Sequence, residues 1–158
     1  MKLGMSAFPV QVRPVRENDV GELARLCVEH AQYERVEIGA GPSEQALCDA
    51  LFAATPRLYA WCAADEVDRL VGFVSATLDY STWRAGAFLH MDCLFVRERA
   101  RGAGVGRALV DALRAHARAL RIPQIQWQTP TWNVNAQRFY ARLGATRQDK
   151  ARFMLDVS

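Results

Sequence analysis

Apolar residues alternate with polar ones, or form short apolar runs, in the stretches 9–16, 57–64, 69–80, 87–96 and 125–129, a pattern typical of β-strands. Between these stretches, apolar residues recur at helical spacing. This spacing predicts one helix that begins at Asn18 or Asp19 and ends near Tyr33, a second from Ser43 through Phe52, and two more over 104–120 and 134–143. A last hairpin is predicted through residues 152–157.

The order of these elements predicts the topology. The stretches 57–64 and 69–80 flank the polar segment 65–68, which predicts an antiparallel hairpin. Strand 87–96, helix 104–120 and strand 125–129 together predict a right-handed parallel crossover. We therefore expect an α/β protein with a mixed sheet.

Length and composition favour a single globular domain. The chain has 158 residues, 51% of them hydrophobic, which is enough for a sizeable core. We expect one domain over residues 1–158, with its core in residues 8–157. A net charge of +3 is too small to indicate a nucleic-acid partner. No stretch approaches the ~20 apolar residues of a membrane-spanning helix, and the first seven residues lack the apolar run of a signal peptide.

The cysteines indicate a reducing environment. The chain has four of them, Cys27, Cys48, Cys62 and Cys93. They are scattered without C-x-x-C spacing, and three of the four fall on predicted apolar faces. Buried free thiols are therefore favoured over disulfides or a zinc site. We expect a cytoplasmic protein without a bound metal.

A glycine-rich loop joins strand 87–96 to helix 104–120. The first turn of a helix has backbone N–H groups without intrahelical partners and the positive end of the helix dipole, so a loop without β-carbons lets a phosphate approach those donors. The loop is also surrounded by positive charge, from Arg97, Arg99, Arg101 and Arg107. The alternative is an ordinary glycine-rich turn with a solvated basic face.

The spacing Arg101-x-x-Gly104-x-Gly106 resembles the acyl-CoA pyrophosphate loop of the GCN5-related N-acetyltransferases (GNAT superfamily). It does not fit a Walker loop, because no Gly-Lys-Ser/Thr follows, nor the dinucleotide motif G-x-G-x-x-G, because Arg107 stands where the last glycine belongs. Residues 132–145 resemble the second signature of that superfamily, with Asn133, Ala136, the pair Phe139-Tyr140 and a Gly-Ala ending.

The resemblance implies a mostly antiparallel mixed sheet with helices on both faces. Its parallel strands 87–96 and 125–129 are expected to splay apart and admit the pantetheine arm of acetyl-CoA. The residues expected to bind this cosubstrate are Leu94, Phe95, Val96, Arg101, Gly102, Ala103, Gly104, Val105, Gly106, Arg107, Asn133, Ala136 and Tyr140.

Within the superfamily, the chain resembles the diamine (spermidine/spermine) acetyltransferase branch through residues 31–34, 80–83 and 132–140. This branch implies a homodimer, which Trp83, Trp132 and the apolar last hairpin favour, and substrate contacts from Tyr33, Glu34, Trp83, Asp92 and Gln128. The chain departs from the branch at Cys93, where a second acidic residue is usual, and at Ser81-Thr82, where the branch has Asp-Pro. A polyamine, a smaller amine, an amino-acid side chain and an aminoglycoside-like compound all remain open as substrates.

Acetyl transfer to an amine requires proton transfers. An alkylammonium with a pKa of ~10.4 is only about one part in a thousand neutral at pH 7, so a base must assist, and the leaving thiolate needs an acid. The resemblance implies that Tyr140 is this acid; the alternative is an aromatic residue that packs with Phe139. Asp92 is the candidate base or water-orienting carboxylate. We expect it to be buried, with Met91 and Cys93 on the opposite face, and a hydrogen-bonded structural aspartate is the alternative.

The sequence therefore predicts an acetyl-CoA-dependent N-acetyltransferase that acts on a primary amine of a small molecule by direct attack in a ternary complex. Two alternatives stay open: a protein or peptide N-acetyltransferase, and a non-catalytic acyl-CoA-binding sensor.

Overall fold

The computed structural model describes residues 8–158. These residues divide into two compact units, and the division falls between Gln128 and Thr129. Each unit is described by itself below. The single domain expected from length and composition stays a prediction.

The first unit contains a five-stranded sheet in the order β1-β2-β3-β4-β5. Its strands are β1 (Gln11–Pro14), β2 (Tyr59–Ala64), β3 (Leu70–Ser81), β4 (Gly86–Val96) and β5 (Ile125–Gln126). Neighbouring strands are antiparallel from β1 to β4, whereas β4 and β5 are parallel. The predicted mixed, mostly antiparallel sheet with one parallel pair is confirmed.

The helices of the first unit are α1 (Val20–Tyr33), α2 (Glu44–Phe52) and α3 (Val105–Ala119). Ser43 caps α2, since its Oγ accepts a hydrogen bond from the N–H of Ala46 at 3.2 Å. Asp19 is the N-cap residue of α1, but its side chain makes no capping hydrogen bond to the helix. Its carboxylate turns back instead and accepts hydrogen bonds from the guanidinium of Arg13 and the N–H of Arg16.

Helices cover both faces of the sheet. Every position of β3 from Leu70 to Ala76 is buried, and successive side chains of a strand point to opposite faces. Helices α1 and α2 pack on the face that carries Phe73 and Phe95. Helix α3 packs against β2, β3 and β4 through an apolar stripe of helical spacing, made of Val105, Leu109, Val110, Leu113 and Ala117. The predicted two-sided helical cover is confirmed.

Strand β4 contains a bulge at Asp92. Cys93 lies opposite Ser75 and Met91 lies opposite Ala76, so no residue of β3 stands opposite Asp92. A bulge inserts one extra residue and breaks the alternation of faces. Met91 and Cys93 therefore lie on opposite faces of the sheet. The expectation that they share one face is wrong, because it assumed unbroken alternation.

Strand β5 is shorter than the predicted strand 125–129. It pairs with β4 only through Leu89–Ile125 and His90–Gln126. From Met91 to Val96, the edge of β4 away from β3 has no strand partner within residues 8–158. The two parallel strands thus stay paired at one end only.

The second unit contains the helix α4 (Val134–Arg142). The predicted hairpin through 152–157 is wrong: residues 145–158 form no strand, and the apolar side chains of Phe153, Met154, Leu155 and Val157 are exposed. A strand needs a neighbour for its backbone groups, and the unit that the structure describes from residue 129 onward supplies none to this segment. Across residues 8–158, no helix is both long and apolar enough to span a membrane.

Candidate active site

The loop between β4 and α3 has the backbone geometry that its glycines predict. Gly102 and Gly104 have φ angles of 75° and 83°, in the left-handed region that favours glycine, and Gly104 is the N-cap of α3. A β-carbon on either glycine would meet no atom within 4 Å. The N–H groups from Val105 to Arg107 have no intrahelical partner, and no loop hydrogen bond of residues 8–158 uses them. The loop therefore offers free donors and open space to an anion.

A second set of open backbone groups lies on β4. Leu94, Phe95 and Val96 pair with β3 along one edge, and their other edge lies beyond the last residue pair with β5, His90–Gln126. At the far end of this edge the carbonyl of Val96 accepts a hydrogen bond from Nε of Arg101. An extended ligand with amide groups can hydrogen-bond to such an edge as an added strand would. This open edge runs from the bulge at Asp92 toward the glycine loop. The two features fit a ligand that has an amide-containing arm and a diphosphate.

Arg101 folds back over the end of α1. Its guanidinium carbon lies 4.6 Å from the centre of the Tyr33 ring and 5.7 Å from that of Phe95, and its Nε donates to the carbonyl of Val96 at 2.7 Å. A cation over an aromatic face is attracted by the ring quadrupole. The structure thus brings together a residue predicted to bind the cosubstrate and one predicted to bind the amine.

The other arginines near the loop differ in how closely they pair with carboxylates. Arg97 donates two hydrogen bonds to the carboxylate of Glu29 on α1, at 2.7 and 2.9 Å, and Arg99 pairs with Asp65 at 3.2 Å. Arg107 lies 3.9 Å from Asp111, and both of these side chains are exposed. Arg97 therefore fastens β4 to α1, and Arg107 stays accessible to an anion.

Asp92 is exposed, with 61% of its side-chain surface accessible. The expectation of a buried carboxylate is wrong, and the cause is the bulge, which removes Asp92 from the alternating pattern of β4. Its Oδ1 lies 3.9 Å from Nε2 of His90, and its Oδ2 accepts a hydrogen bond from the thiol of Cys93 at 3.7 Å. Sequence reasoning missed His90, although it stands two residues before Asp92 on the same predicted strand.

The thiols near Asp92 are protonated at neutral pH. Burial, together with the negative charge of Asp92, raises the pKa of Cys27 to about 11 and that of Cys93 to about 12. All four cysteines are free, as predicted from their spacing. A thiol with a raised pKa contributes little thiolate, so neither sulfur is a nucleophile here.

The predicted amine contacts fall in two places. At the end of α1, Glu34 lies 3.3 Å from Nε2 of His30, and the His30 ring stacks on Phe95 with the ring centres 5.5 Å apart. Trp83 stands apart from this group. It lies in the turn before β4, and the residue is 96% exposed. The stretch of β4 from Gly86 to Asp92 spans about 20 Å, which separates Trp83 from Asp92 along the strand.

Gln128 is exposed and follows the end of β5. The structure therefore groups Tyr33 and Glu34 near Phe95 and Arg101, whereas Trp83 lies in the turn before β4 and Gln128 follows β5.

In the second unit, Asn133 stands directly before α4 and Tyr140 lies on this helix. The Oδ1 of Asn133 accepts a hydrogen bond from the N–H of Ala136 at 3.1 Å, which confirms the predicted helix cap. The Tyr140 ring packs edge-on against Phe139 with the ring centres 5.4 Å apart. Because Asn133, Ala136 and Tyr140 are spaced by three and four residues, they share one side of the helix.

Comparison with known proteins assigns the family. Residues 23–145 match the model of the acetyltransferase (GNAT) family. The chain belongs to this family. It is an N-acetyltransferase, and the predicted resemblance to the superfamily and to its diamine acetyltransferase-like branch is confirmed.

The curated relatives extend over most of the chain. It is 28% identical over 145 residues to the thialysine N-epsilon-acetyltransferase of Bos taurus, which covers 86% of this chain and 84% of that protein. It is 32% identical over 100 residues to the D-amino-acid N-acetyltransferase of Saccharomyces cerevisiae, which covers 63% of this chain and 62% of that protein.

A solved structure shares the fold. The crystal structure of an aminoglycoside acetyltransferase from an uncultured soil metagenomic sample superposes with a TM-score of 0.80, at 15% identity, over 94% of this chain and 97% of that one.

Proposed function

We propose that this enzyme transfers the acetyl group of acetyl-CoA to a primary amine of a small molecule, by direct attack in a ternary complex. The observation that carries the proposal is the continuity of two open backbone surfaces, the β4 edge from Met91 to Val96 and the loop from Gly102 to Arg107. The edge suits the amides of a pantetheine arm. The loop suits a pyrophosphate at the N-terminus of α3.

The reaction requires two proton transfers that residues of the chain must assist. Acetyl-CoA supplies a thioester carbonyl carbon, to which the amine nitrogen bonds as the C–S bond breaks and leaves its electron pair on sulfur. An alkylammonium must first lose a proton for its lone pair to react, and the nitrogen loses a second proton as the amide forms. Sulfur takes up one proton and one is released to water, so the balance is amide, thiol and a proton. The chain must therefore supply a proton acceptor for the amine and a proton donor for sulfur.

The proposed donor is Tyr140. A phenol holds its proton at neutral pH and can transfer it to a thiolate, and Tyr140 shares its side of α4 with Asn133 and Ala136. On the amine side, the carboxylates of Glu34 and Asp92 attract a cationic substrate. The exposure of Asp92 supports this contact, since a solvated carboxylate can meet an incoming ammonium group.

The relatives support an amine on a small molecule. One is named for acetylating the ε-nitrogen of thialysine, and another for acetylating D-amino acids. Cys93 occupies the position next to Asp92, and burial raises the pKa of this thiol to about 12, so it adds no charge there. We therefore propose a substrate with one or two amines rather than a long polycation.

The proposal includes a cytoplasmic homodimer. Free cysteines are usual in a reducing compartment, and all four of this chain are free. Exposed aromatic side chains such as Trp83 and Phe153 support a protein–protein contact. Light scattering at micromolar concentration tests this part, and a monomer mass would contradict it.

The deciding experiment is a thiol-release assay with acetyl-CoA and a panel of amines: lysine, thialysine, ornithine, spermidine, a D-amino acid and an aminoglycoside, with a peptide library alongside. Turnover with one of the small amines is the expected result. Turnover with peptides alone would contradict the proposal in favour of a protein acetyltransferase. Binding of acetyl-CoA by calorimetry without any turnover would favour the sensor.

A further inference from the structure

His90 stands where the two parallel strands part. It is the last residue of β4 that pairs with β5, opposite Gln126, and the bulge at Asp92 begins two residues later. Beyond this point the edge of β4 is open within residues 8–158. A side chain at this position lies at the start of the open edge to which we assign the pantetheine arm.

The register shows which way His90 points. Met91 lies opposite Ala76, and Cys93 lies opposite Ser75. Cys93 packs into the α1–α2 core, so Ala76 and Met91 face the α3 side. His90 precedes Met91 and therefore faces the α1 side, where its side chain is 29% exposed. The end of α1 that carries Tyr33 and Glu34 covers the same face.

We propose that His90 is the group that accepts the proton of the substrate amine, and that Asp92 orients its ring and stabilises the imidazolium. This inference rests on the proposed function. The Nε2 atom lies 3.9 Å from Oδ1 of Asp92, which is longer than a hydrogen bond but within the range of an ion pair. With the Nε2 hydrogen toward the carboxylate, Nδ1 is the acceptor. Its lone pair takes one proton from the alkylammonium, which leaves a neutral amine, and the imidazolium returns that proton to water.

Elementary chemistry favours the imidazole over the carboxylate for this task. General base catalysis is most efficient when the base titrates near the working pH. Imidazoles as a class titrate near ~6.5 and side-chain carboxylic acids near ~4. As a class, carboxylates are therefore weaker bases toward an alkylammonium than imidazoles are. The carboxylate of Asp92 can still lower the energy of a cation formed a few ångströms away.

Other titratable groups face the pair, and they bear on its pH response. On β4 and α1 these are the thiols of Cys93 and Cys27, both with pKa values raised by burial. The end of α1 on the same face adds Glu34, which lies 3.3 Å from Nε2 of His30, and Tyr33, over whose ring the guanidinium of Arg101 lies. On β3, Thr77 lies opposite His90 and donates a hydrogen bond to Asp79 at 3.2 Å, and on β5 the partner Gln126 is neutral. Asp79 is thus the matched control, since it is an exposed carboxylate on the same face with a partner of its own.

The first test uses NMR titration of the imidazole protons without cosubstrate, with His90→Gln identifying the His90 signal. In Asp92→Asn we expect the titration midpoint of His90 to fall, because the imidazolium loses its negative neighbour. Asp79→Asn is expected to move it less. An unmoved midpoint in Asp92→Asn would overturn the pairing.

The second test is the pH dependence of kcat/KM for an amine of the panel. We expect His90→Gln to lose the acidic limb and to lower kcat/KM at neutral pH by roughly 10²–10⁴-fold, with acetyl-CoA affinity retained by calorimetry. Asp92→Asn should keep the limb and shift it to lower pH, and Asp79→Asn should match the parent profile. Loss of the limb in Asp92→Asn with its retention in His90→Gln would make Asp92 the base and overturn the inference.

Failure of this inference is distinguishable from failure of the proposed function. If the parent enzyme turns over an amine and His90→Gln turns it over equally well, only the role of His90 falls. If the parent enzyme acetylates nothing in the panel, the proposed function falls and the role of His90 falls with it.

Discussion

The guanidinium carbon of Arg101 lies over the Tyr33 ring, 4.6 Å from the ring centre. Tyr33 ends α1, and Arg101 enters the glycine loop, so this contact joins a residue proposed to bind the amine to one proposed to bind the cosubstrate. A planar guanidinium stacks on aromatic rings in a way that an ammonium group does not. The ring therefore holds the positive charge near the loop.

The first prediction follows from this contact. Tyr33→Ala removes the ring that holds Arg101 and is expected to weaken acetyl-CoA binding by about 2–5-fold, as expected for an exposed cation–π contact of about 0.5–1 kcal/mol. Tyr33→Phe keeps the ring and is the matched control, with affinity close to that of the parent. Calorimetry with acetyl-CoA measures both. Equal affinities in all three proteins would show that the stacking has no role in binding.

The second prediction concerns the phosphate loop. Gly104→Ala places a methyl group in the open space above the loop and is expected to weaken acetyl-CoA binding by roughly 10–100-fold, because a hydrogen bond to a charged group contributes about 1.5–3 kcal/mol. Calorimetry measures the affinity, and circular dichroism checks the fold.

Gly144→Ala separates ligand exclusion from backbone strain. Gly144 has a φ angle of 84°, nearly that of Gly104 at 83°, and a β-carbon on it would also meet nothing within 4 Å. Both variants carry the same left-handed strain, so both should lose stability. A loss of affinity in Gly104→Ala that Gly144→Ala reproduces would assign the effect to strain.

Much of the fold follows from local sequence signals. The helix boundaries at Ser43 and Asn133 could be predicted because a cap depends on residues only three positions apart. The start of α3 could be predicted because Gly104 and the apolar stripe behind it belong to one short segment. The order of strands and helices was enough for the parallel crossover.

The parts that could not be predicted depend on pairing between distant segments. The bulge at Asp92 arises from the register between β3 and β4, which no pattern within 87–96 encodes, and it alone explains why Asp92 is exposed. The prediction of a last hairpin was wrong for the same reason, since the alternation of apolar residues at Phe153 and Leu155 does not supply a partner strand. The sequence did not indicate a role for His90, because that role depends on its place at the end of the β4–β5 pairing.

The third prediction concerns stability. Asp19 is buried and accepts hydrogen bonds from Arg13 at 2.6 and 3.0 Å. Burial opposes its ionisation, but the hydrogen bonds from Arg13 and from the Arg16 backbone lower the pKa of its carboxyl below the ordinary value. Asp19→Asn leaves the buried Arg13 short of its main partner. We expect it to lower the free energy of unfolding by about 3 kcal/mol at neutral pH, as the breaking of a buried pair does.

The pH dependence of this effect has a definite sign. Since the pKa of Asp19 is lowered on folding, its contribution is fully present above the pKa of the unfolded chain and is lost as the pH falls through that of the folded chain. The gap between the parent and Asp19→Asn in urea unfolding should therefore close below about pH 4. Asp49→Asn, at an exposed carboxylate on α2, is the control and should change stability by less than about 0.5 kcal/mol. A gap that stays constant with pH would contradict the charge argument.

The last prediction isolates the proton donor. Tyr140→Phe removes one hydroxyl and keeps the ring that packs against Phe139, so acetyl-CoA affinity and thermal stability should stay near those of the parent. If the phenol protonates the leaving sulfur, kcat should fall by roughly 10²–10⁴-fold, as loss of a general acid does. Tyr80→Phe makes the same chemical change on an exposed part of β3 and should leave kcat unchanged. Single-turnover thiol release measures the chemical step directly, and a Tyr140→Phe rate within a few-fold of the parent would return Tyr140 to a packing role.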